Sequence, residues 1–199
     1  MEDIDKKVSI FKKLEDSFKN GPINSDSLDG ILSQLNIKKA EFYFLFPNKI
    51  KSLCSFYFEN IYLSVIKKLK KSLVKEKSIS KKTTILVVEF IKLFDKKPHL
   101  SIYFLNYICL KPIFLSKTIY KISNNIWYDI GDKSIDISYY TKRIILFNII
   151  KNSLFYWRNN QSIEDTLVFI ERQVSFFGKL GKSKYNAKKY IKEKVFKKL

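Results

Sequence analysis

The residues that most often carry chemistry are few and scattered in this chain. His99 is the only histidine, and it stands beside Pro98 at a predicted helix start, away from any cysteine or carboxylate cluster. Cys54 and Cys109 each lie alone in an apolar stretch. That spacing suits neither a disulfide framework nor a metal motif and is typical of a reducing compartment. We therefore interpret His99 as structural and predict no metal and no cofactor.

The sequence offers no combination of nucleophile, base and orienting group. Glu59 and Glu89 lie in apolar surroundings, but neither has a partner at a catalytic spacing. The sequence also lacks a glycine-rich phosphate loop, an HExxH motif and a GxSxG motif. These observations predict that the protein is not an enzyme.

Composition favours a helical protein with a large excess of positive charge. The 199 residues are 46% hydrophobic and include only 5 Gly and 4 Pro, which predicts one all-α domain with a substantial core. The formal net charge is +19, with 35 Lys and 3 Arg, a skew typical of A+T-rich codon usage. We interpret this charge first as a solvated surface. An anionic membrane is the second interpretation and nucleic acid the third, because readers of nucleic acid more often use Arg.

Hydropathy and the N-terminal residues predict a protein that is cytoplasmic or lies on a membrane surface. Residues 1–5 are acidic, unlike a secretory or transit peptide. No run of 18 apolar residues occurs, so we expect no membrane-spanning helix.

Apolar spacing along the chain predicts about nine or ten helices. Residues 4–19 place their apolar side chains on one helical face. Pro98 and Pro112 suit first turns, where a missing N–H costs nothing. Ser162 begins a capping box for a helix predicted to end at Gly178.

The N-terminal segment, residues 4–49, resembles the helix-turn-helix part of TetR-type regulators, most closely at residues 37–49. Tyr43 matches the tyrosine with which that family contacts phosphate, whereas Glu41 replaces a hydroxyl residue and Leu45 stands where His is common. A carboxylate opposes phosphate binding and a leucine donates no hydrogen bond. We predict a TetR-like bundle without specific DNA binding, and a TetR-type transcriptional repressor is the alternative function.

A more specific motif lies between residues 127 and 172. It consists of Trp127-Tyr128-Asp129-Ile130-Gly131-Asp132-Lys133-Ser134-Ile135-Asp136-Ile137-Ser138-Tyr139-Tyr140-Thr141-Lys142-Arg143, Tyr156-Trp157, Asp165-Thr166 and Phe169-Ile170-Glu171-Arg172. This pattern resembles the lipid-binding accessory family of ubiquinone biosynthesis, the ninth Coq protein and its bacterial relatives. The stronger resemblance covers about residues 98–180. Tyr139 keeps an aromatic ring where the family typically has Trp.

The resemblance implies a TetR-like fold, often dimeric, that binds an isoprenoid or quinone-like lipid and assists a quinone-modifying hydroxylase at the inner membrane of a bacterium. We expect a homodimer. The candidate lipid-binding residues are Phe104, Tyr107, Ile108, Phe114 and Trp127, and core packing is the alternative role for each aromatic residue among them. The candidate partner-binding residues are Asp136, Tyr139, Tyr140 and Arg143.

Arginine is rare enough in this chain that its positions are informative. Only Arg143, Arg158 and Arg172 are arginine. Arginine suits sites that need a rigid planar donor rather than a point charge. We expect Asp132 or Asp136 to accept hydrogen bonds from Arg143.

The C-terminal residues, 181–199, are predicted to form a separate lysine-rich helix that lies on an anionic membrane. Its narrow apolar stripe is flanked by lysines whose ammonium groups can reach lipid phosphates. The candidate membrane-binding residues are Lys188, Ile191, Lys192, Val195 and Phe196. Residues 178–184 would form a hinge, and a solvated tail is the alternative.

These segments give the predicted domain organisation. Residues 1–180 form a single TetR-like domain, with 4–49 as its helix-turn-helix-like part and 50–180 as its lipid-binding bundle. A general membrane-surface scaffold is a third alternative, which would bind vesicles without carrying an extractable lipid.

Overall fold

The computed structural model describes the backbone of residues 2–21, 23–24, 26–135 and 137–196, and the side chains of residues 3–19, 21, 23–24, 26–135 and 137–179. Within these residues the chain is all-α, with nine α-helices, one 3₁₀ turn and no strand, so the predicted fold class is confirmed. A TetR-like arrangement stays a prediction. The helices are α1 Glu2–Glu15, α2 Leu28–Gln34, α3 Lys39–Leu45, α4 Ile50–Lys75, α5 Ile79–Asp95, α6 Pro98–Cys109, α7 Pro112–Asp129, α8 Ile137–Asn160 and α9 Ile163–Phe196, and the 3₁₀ turn is Asp16–Asn20.

The helix starts follow the local sequence signals. Pro98 and Pro112 are the first residues of α6 and α7, where proline lacks only an N–H that has no intrahelical acceptor. Before α9, the Ser162 hydroxyl accepts the backbone N–H of Asp165 at 3.2 Å, which is the predicted N-cap.

The predicted end of the last long helix at Gly178 is wrong, because α9 runs without a break from Ile163 to Phe196. Glycine inside a helix costs about 1 kcal/mol relative to alanine but keeps its N–H, so the hydrogen-bonded ladder can continue through it. The proposed hinge at residues 178–184 therefore has no break in the backbone. The side chains of Lys188, Ile191, Lys192, Val195 and Phe196 lie outside the described residues.

The chain divides into two compact units. The first comprises Met1–Lys67 and Leu93–Thr118, and an aromatic cluster forms its core. Phe104 is fully buried, with ring centroids of Tyr57 at 4.9 Å and of Phe18 at 5.2 Å. The Tyr57 and Ser101 hydroxyls lie 2.5 Å apart, and Ser101 donates to the Phe94 carbonyl at 2.6 Å. Each buried hydroxyl of this pair thus has a partner.

The second unit comprises Lys68–Lys92 and Ile119–Leu199, and α8 and α9 pack together in it. Tyr156 and Phe169 stack with centroids 4.3 Å apart, and Trp157 is 1% exposed. In neither unit is a described helix long and apolar enough to cross a bilayer.

Candidate functional site

Three residues whose types are often used in catalysis have different surroundings in the structure. His99 is exposed at the start of α6, and Glu89 forms an ion pair with Lys68. Cys54 is fully buried, and this burial raises the pKa of its thiol, so the nucleophilic thiolate is disfavoured. No group of three His, Cys, Asp or Glu side chains in the described part of the chain is arranged to hold a metal ion.

The turn between α7 and α8 places an acidic side chain by a specific backbone motif. The N–H of Asp132 donates to the Trp127 carbonyl at 2.9 Å, and the N–H of Gly131 donates to the Tyr128 carbonyl at 3.0 Å. These two bonds form a Schellman motif, in which the residue at the Gly131 position adopts a left-handed conformation. Gly131 has φ of 79°, which glycine adopts without steric cost. The motif turns Asp132 back toward the start of α8.

The Asp132 side chain accepts hydrogen bonds from the turn itself and from α8. Its side chain is 2% exposed and accepts from the Ser134 hydroxyl at 2.6 Å and from Lys142 Nζ at 2.7 Å. Burial by itself raises the pKa of Asp132, but the bonds from Lys142 and Ser134 outweigh this effect and leave that pKa below its ordinary value. The group is therefore a carboxylate at neutral pH.

Arg143 uses its planar donor as the sequence predicts. Its guanidinium donates to Asp132 Oδ2 at 3.3 Å, to Asn124 Oδ1 at 2.7 Å and to the Tyr139 carbonyl at 3.0 Å. Its central carbon lies 3.3 Å from the centroid of the Tyr139 ring. The predicted bond to Asp132 is confirmed, whereas Asp136 lies outside the described residues. Asn124 is not among the predicted site residues. The one sequence feature that could have indicated its role is the position of its amide side chain, one helical turn before Trp127.

A further bond joins the two helices directly. Trp127 Nε1 donates to the Lys142 carbonyl at 3.0 Å. Together, Asn124, Trp127, Asp132, Tyr139, Lys142 and Arg143 form what we call the α7–α8 network. Since most of its polar atoms are paired and little exposed, the network fixes the end of α7 against the first turns of α8.

Five large apolar side chains are exposed around this network. We call them the α7–α8 patch: Tyr128 at 80%, Ile135 at 75%, Ile137 at 76%, Tyr140 at 62% and Ile144 at 54% exposure. Ile137, Tyr140 and Ile144 recur at spacings of three and four and so share one face of α8. Tyr140 therefore belongs to the exposed surface, whereas Tyr139 is half-buried and Arg143 is buried.

The comparison with known proteins matches the part of the chain that contains the α7–α8 network and the α7–α8 patch. Residues 114–181 match the COQ9 family. This stretch, the COQ9 region, contains the whole α7–α8 network and the whole patch, and covers about a third of the chain. The match confirms the resemblance of this part of the chain to the accessory family of ubiquinone biosynthesis. No curated protein and no solved structure matches the chain.

The candidate lipid-binding residues fall on both sides of the start of the COQ9 region. Phe104 and Ile108 are fully buried in the first unit, where Phe104 belongs to the aromatic cluster. Tyr107 and Phe114 are half-buried, with ring centroids 6.3 Å apart. Trp127 belongs to the second unit and to the α7–α8 network. The structure thus brings Tyr107 and Phe114 together, while Phe104 and Ile108 pack as core.

The helix-turn-helix-like part lies outside the COQ9 region. The Tyr43 hydroxyl donates to Asp29 on α2, so the residue expected to contact phosphate is held by a carboxylate. Leu45 is buried at 5% exposure, and Glu41 is exposed on α3. The helix-turn-helix-like part therefore carries two carboxylates, those of Asp29 and Glu41, where a DNA-binding protein would contact phosphates.

Proposed function

We propose that the protein is a non-catalytic accessory protein of ubiquinone biosynthesis. It binds an isoprenoid or quinone-like lipid and presents it at an anionic membrane surface to a quinone-modifying hydroxylase. A homodimer and a peripheral place on the inner membrane of a bacterium belong to the same proposal. The observation that carries it is the α7–α8 patch within the COQ9 region.

The patch has the chemistry of a docking surface for the hydroxylase. Groups of large exposed apolar side chains, such as Ile137, Tyr140 and Ile144 on one face of α8, are uncommon on monomeric soluble proteins and often mark interaction sites. Tyrosine is enriched among the residues that dominate binding energy, and Tyr140 is the exposed tyrosine on α8. The buried network beneath it holds the backbone in place, so less conformational freedom is lost on binding.

The partner half of the proposal is tested with purified proteins. Tyr140→Ser combined with Ile137→Ser should weaken capture of the hydroxylase of the same organism by at least about tenfold, or 1.4 kcal/mol. Phe44→Ser is the matched control, because Phe44 is an aromatic residue of 77% exposure on α3, outside the COQ9 region. Both variants should keep the helical circular dichroism signal. Equal capture by the two variants would remove the patch from the interface.

The lipid half is tested separately. Protein purified from its own or a quinone-producing host is extracted with organic solvent, and the extract is examined by mass spectrometry. We expect an isoprenoid or quinone-like lipid, and uptake of an added short-chain quinone by protein that has been stripped of lipid. Repeated extracts without lipid, together with no uptake, would contradict lipid binding while leaving the partner test intact.

A further inference from the structure

A groove of about 700 Å³ lies in the first unit, between the turn that precedes α4 and the C-terminal half of α6. It lies outside the COQ9 region and shares only Tyr107 with the candidate lipid-binding residues. Its volume falls in the range of roughly 300–1,000 Å³ that is usual for small-molecule sites. Three features of its lining point to one class of ligand.

The first feature is positive charge, which near Lys49 is partly offset at longer range by the Asp29 carboxylate. Lys49, Lys51 and Lys111 line the groove, whose lining includes no acidic residue. Among the described residues none of the three has a carboxylate within salt-bridge distance. Lys111 Nζ lies 3.4 Å from the centroid of Tyr107, and such a ring contact orients an ammonium group without neutralising it. The groove also borders the first turn of α4, a 26-residue helix whose N-terminus carries partial positive charge.

The second feature is a buried acceptor that has no donor. Asn106 lines the groove, and its Oδ1 is the one buried side-chain oxygen or nitrogen in the described part of the chain without a hydrogen-bond partner. Buried polar atoms are nearly always paired, so an unpaired one at a cavity wall calls for an explanation. A small rotation of the Asn106 side chain would turn Oδ1 into the groove, where a hydroxyl group on a ligand would supply the missing donor.

The third feature is an apolar wall. Tyr103 and Tyr107 present their rings, and Leu110 is 84% exposed at the groove. The Tyr103 hydroxyl already donates to the Ile23 carbonyl at 2.5 Å, so that side chain offers the groove mainly its ring. An alkyl chain placed here would remove these apolar surfaces from water.

From these three features we propose that the groove binds an anionic amphiphile that carries a phosphate, a neighbouring hydroxyl and an alkyl chain. The phosphate lies against Lys49, Lys51 and Lys111. The hydroxyl donates to Asn106 Oδ1. The chain follows Tyr107 and Leu110 toward solvent. The same phosphate chemistry occurs in single-chain lipids and in small soluble phosphate esters, which the experiment separates.

The test is calorimetric titration of the full-length protein with octanoyl lysophosphatidic acid, kept below its micelle concentration. Lys51→Gln combined with Lys111→Gln should weaken binding at least about tenfold. The matched control, Lys70→Gln with Lys71→Gln, removes the same charge from exposed positions at the other end of α4 and should stay within about twofold. An equal loss in both double variants would overturn the site, because it would reflect general attraction to a chain of net charge +19.

Two further probes and one variant test the remaining parts of the ligand. Glycerol phosphate carries the head without the chain, and equal affinity for it would overturn the role of the apolar wall and assign the groove to a soluble phosphate ester. Octanoyl lysophosphatidylcholine keeps the chain and the hydroxyl but cancels the charge, and equal affinity for it would overturn the role of the lysines. Asn106→Leu should weaken lysophosphatidic acid binding severalfold, whereas an unchanged affinity would contradict the hydroxyl contact. Absence of lysophosphatidic acid binding to the unmodified protein would overturn the proposal altogether.

Discussion

Removal of the charge on Asp132 should have a large effect on stability, and Asp132→Asn isolates that charge. Asparagine keeps the size of the side chain and one carbonyl oxygen. It cannot neutralise the guanidinium of Arg143, whose side chain is 5% exposed. The variant therefore leaves a buried positive charge with only neutral acceptors.

The magnitude follows from what remains around Arg143. Removing one partner of a buried ion pair usually costs 3–5 kcal/mol. Here Arg143 keeps its bonds to Asn124 and to the Tyr139 carbonyl, and the Lys142 side chain, 36% exposed, can turn to solvent. We therefore expect a loss of about 2–3 kcal/mol. In a chain of this length each kcal/mol lowers Tm by about 2–4 °C, so Tm should fall by about 4–12 °C.

Thermal melts followed by circular dichroism measure this change, with Asp26→Asn at an exposed loop position as control. The pKa of Asp132 is lowered in the folded protein, so its stabilisation is present above the ordinary value of 3.8 and is lost as pH falls below it. The difference between Asp132→Asn and the unmodified protein should accordingly shrink below about pH 4. A neutral-pH Tm change no larger than that of the control would refute the reasoning, and so would a difference that persists in acid.

Tyr57→Phe removes a hydroxyl from the buried pair with Ser101 and should lower the free energy of unfolding by about 1–2 kcal/mol. Urea denaturation measures this change, and an unchanged midpoint would mean that the bond contributes nothing to stability. Deletion of residues 183–199 should leave Tm nearly unchanged but abolish sedimentation with anionic vesicles, and binding of the full chain should weaken as salt rises. Equal sedimentation of the truncated protein would exclude this segment as the membrane anchor. Duplex DNA should bind weakly and be released by salt, because Glu41 opposes phosphate contact, and a footprint at physiological ionic strength would favour the repressor.

Most of the fold follows from local signals in the sequence. The spacing of apolar residues predicts the helices, and Pro98, Pro112 and Ser162 predict where three of them start, because each of these signals acts through the backbone within one turn. The same local reasoning fails at Gly178. A glycine only weakens a helix, and whether the helix stops depends on the residues around it.

The candidate site is less predictable because it depends on which residues face inward. Isoleucine occurs at both buried and exposed positions of α8, such as Ile150 and Ile144, so periodicity does not separate Tyr139 from Tyr140. The pairing of Arg143 with Asp132 is accessible from sequence because both residues belong to one motif. The bond from Arg143 to Asn124 joins two residues that are 19 positions apart and lie on different helices, and no local pattern encodes it.

The planar donor of Arg143 also bears on how this sequence can change over time. An A+T-rich base composition favours lysine codons over arginine codons. At exposed positions the substitution of arginine by lysine is tolerated, because an ammonium group serves there as well as a guanidinium. At position 143 a lysine could not reach Asp132, Asn124 and the Tyr139 carbonyl from one rigid plane. Mutational drift toward lysine therefore meets resistance at this position, and selection against Arg143→Lys should be detectable in a competition between strains that carry the two alleles.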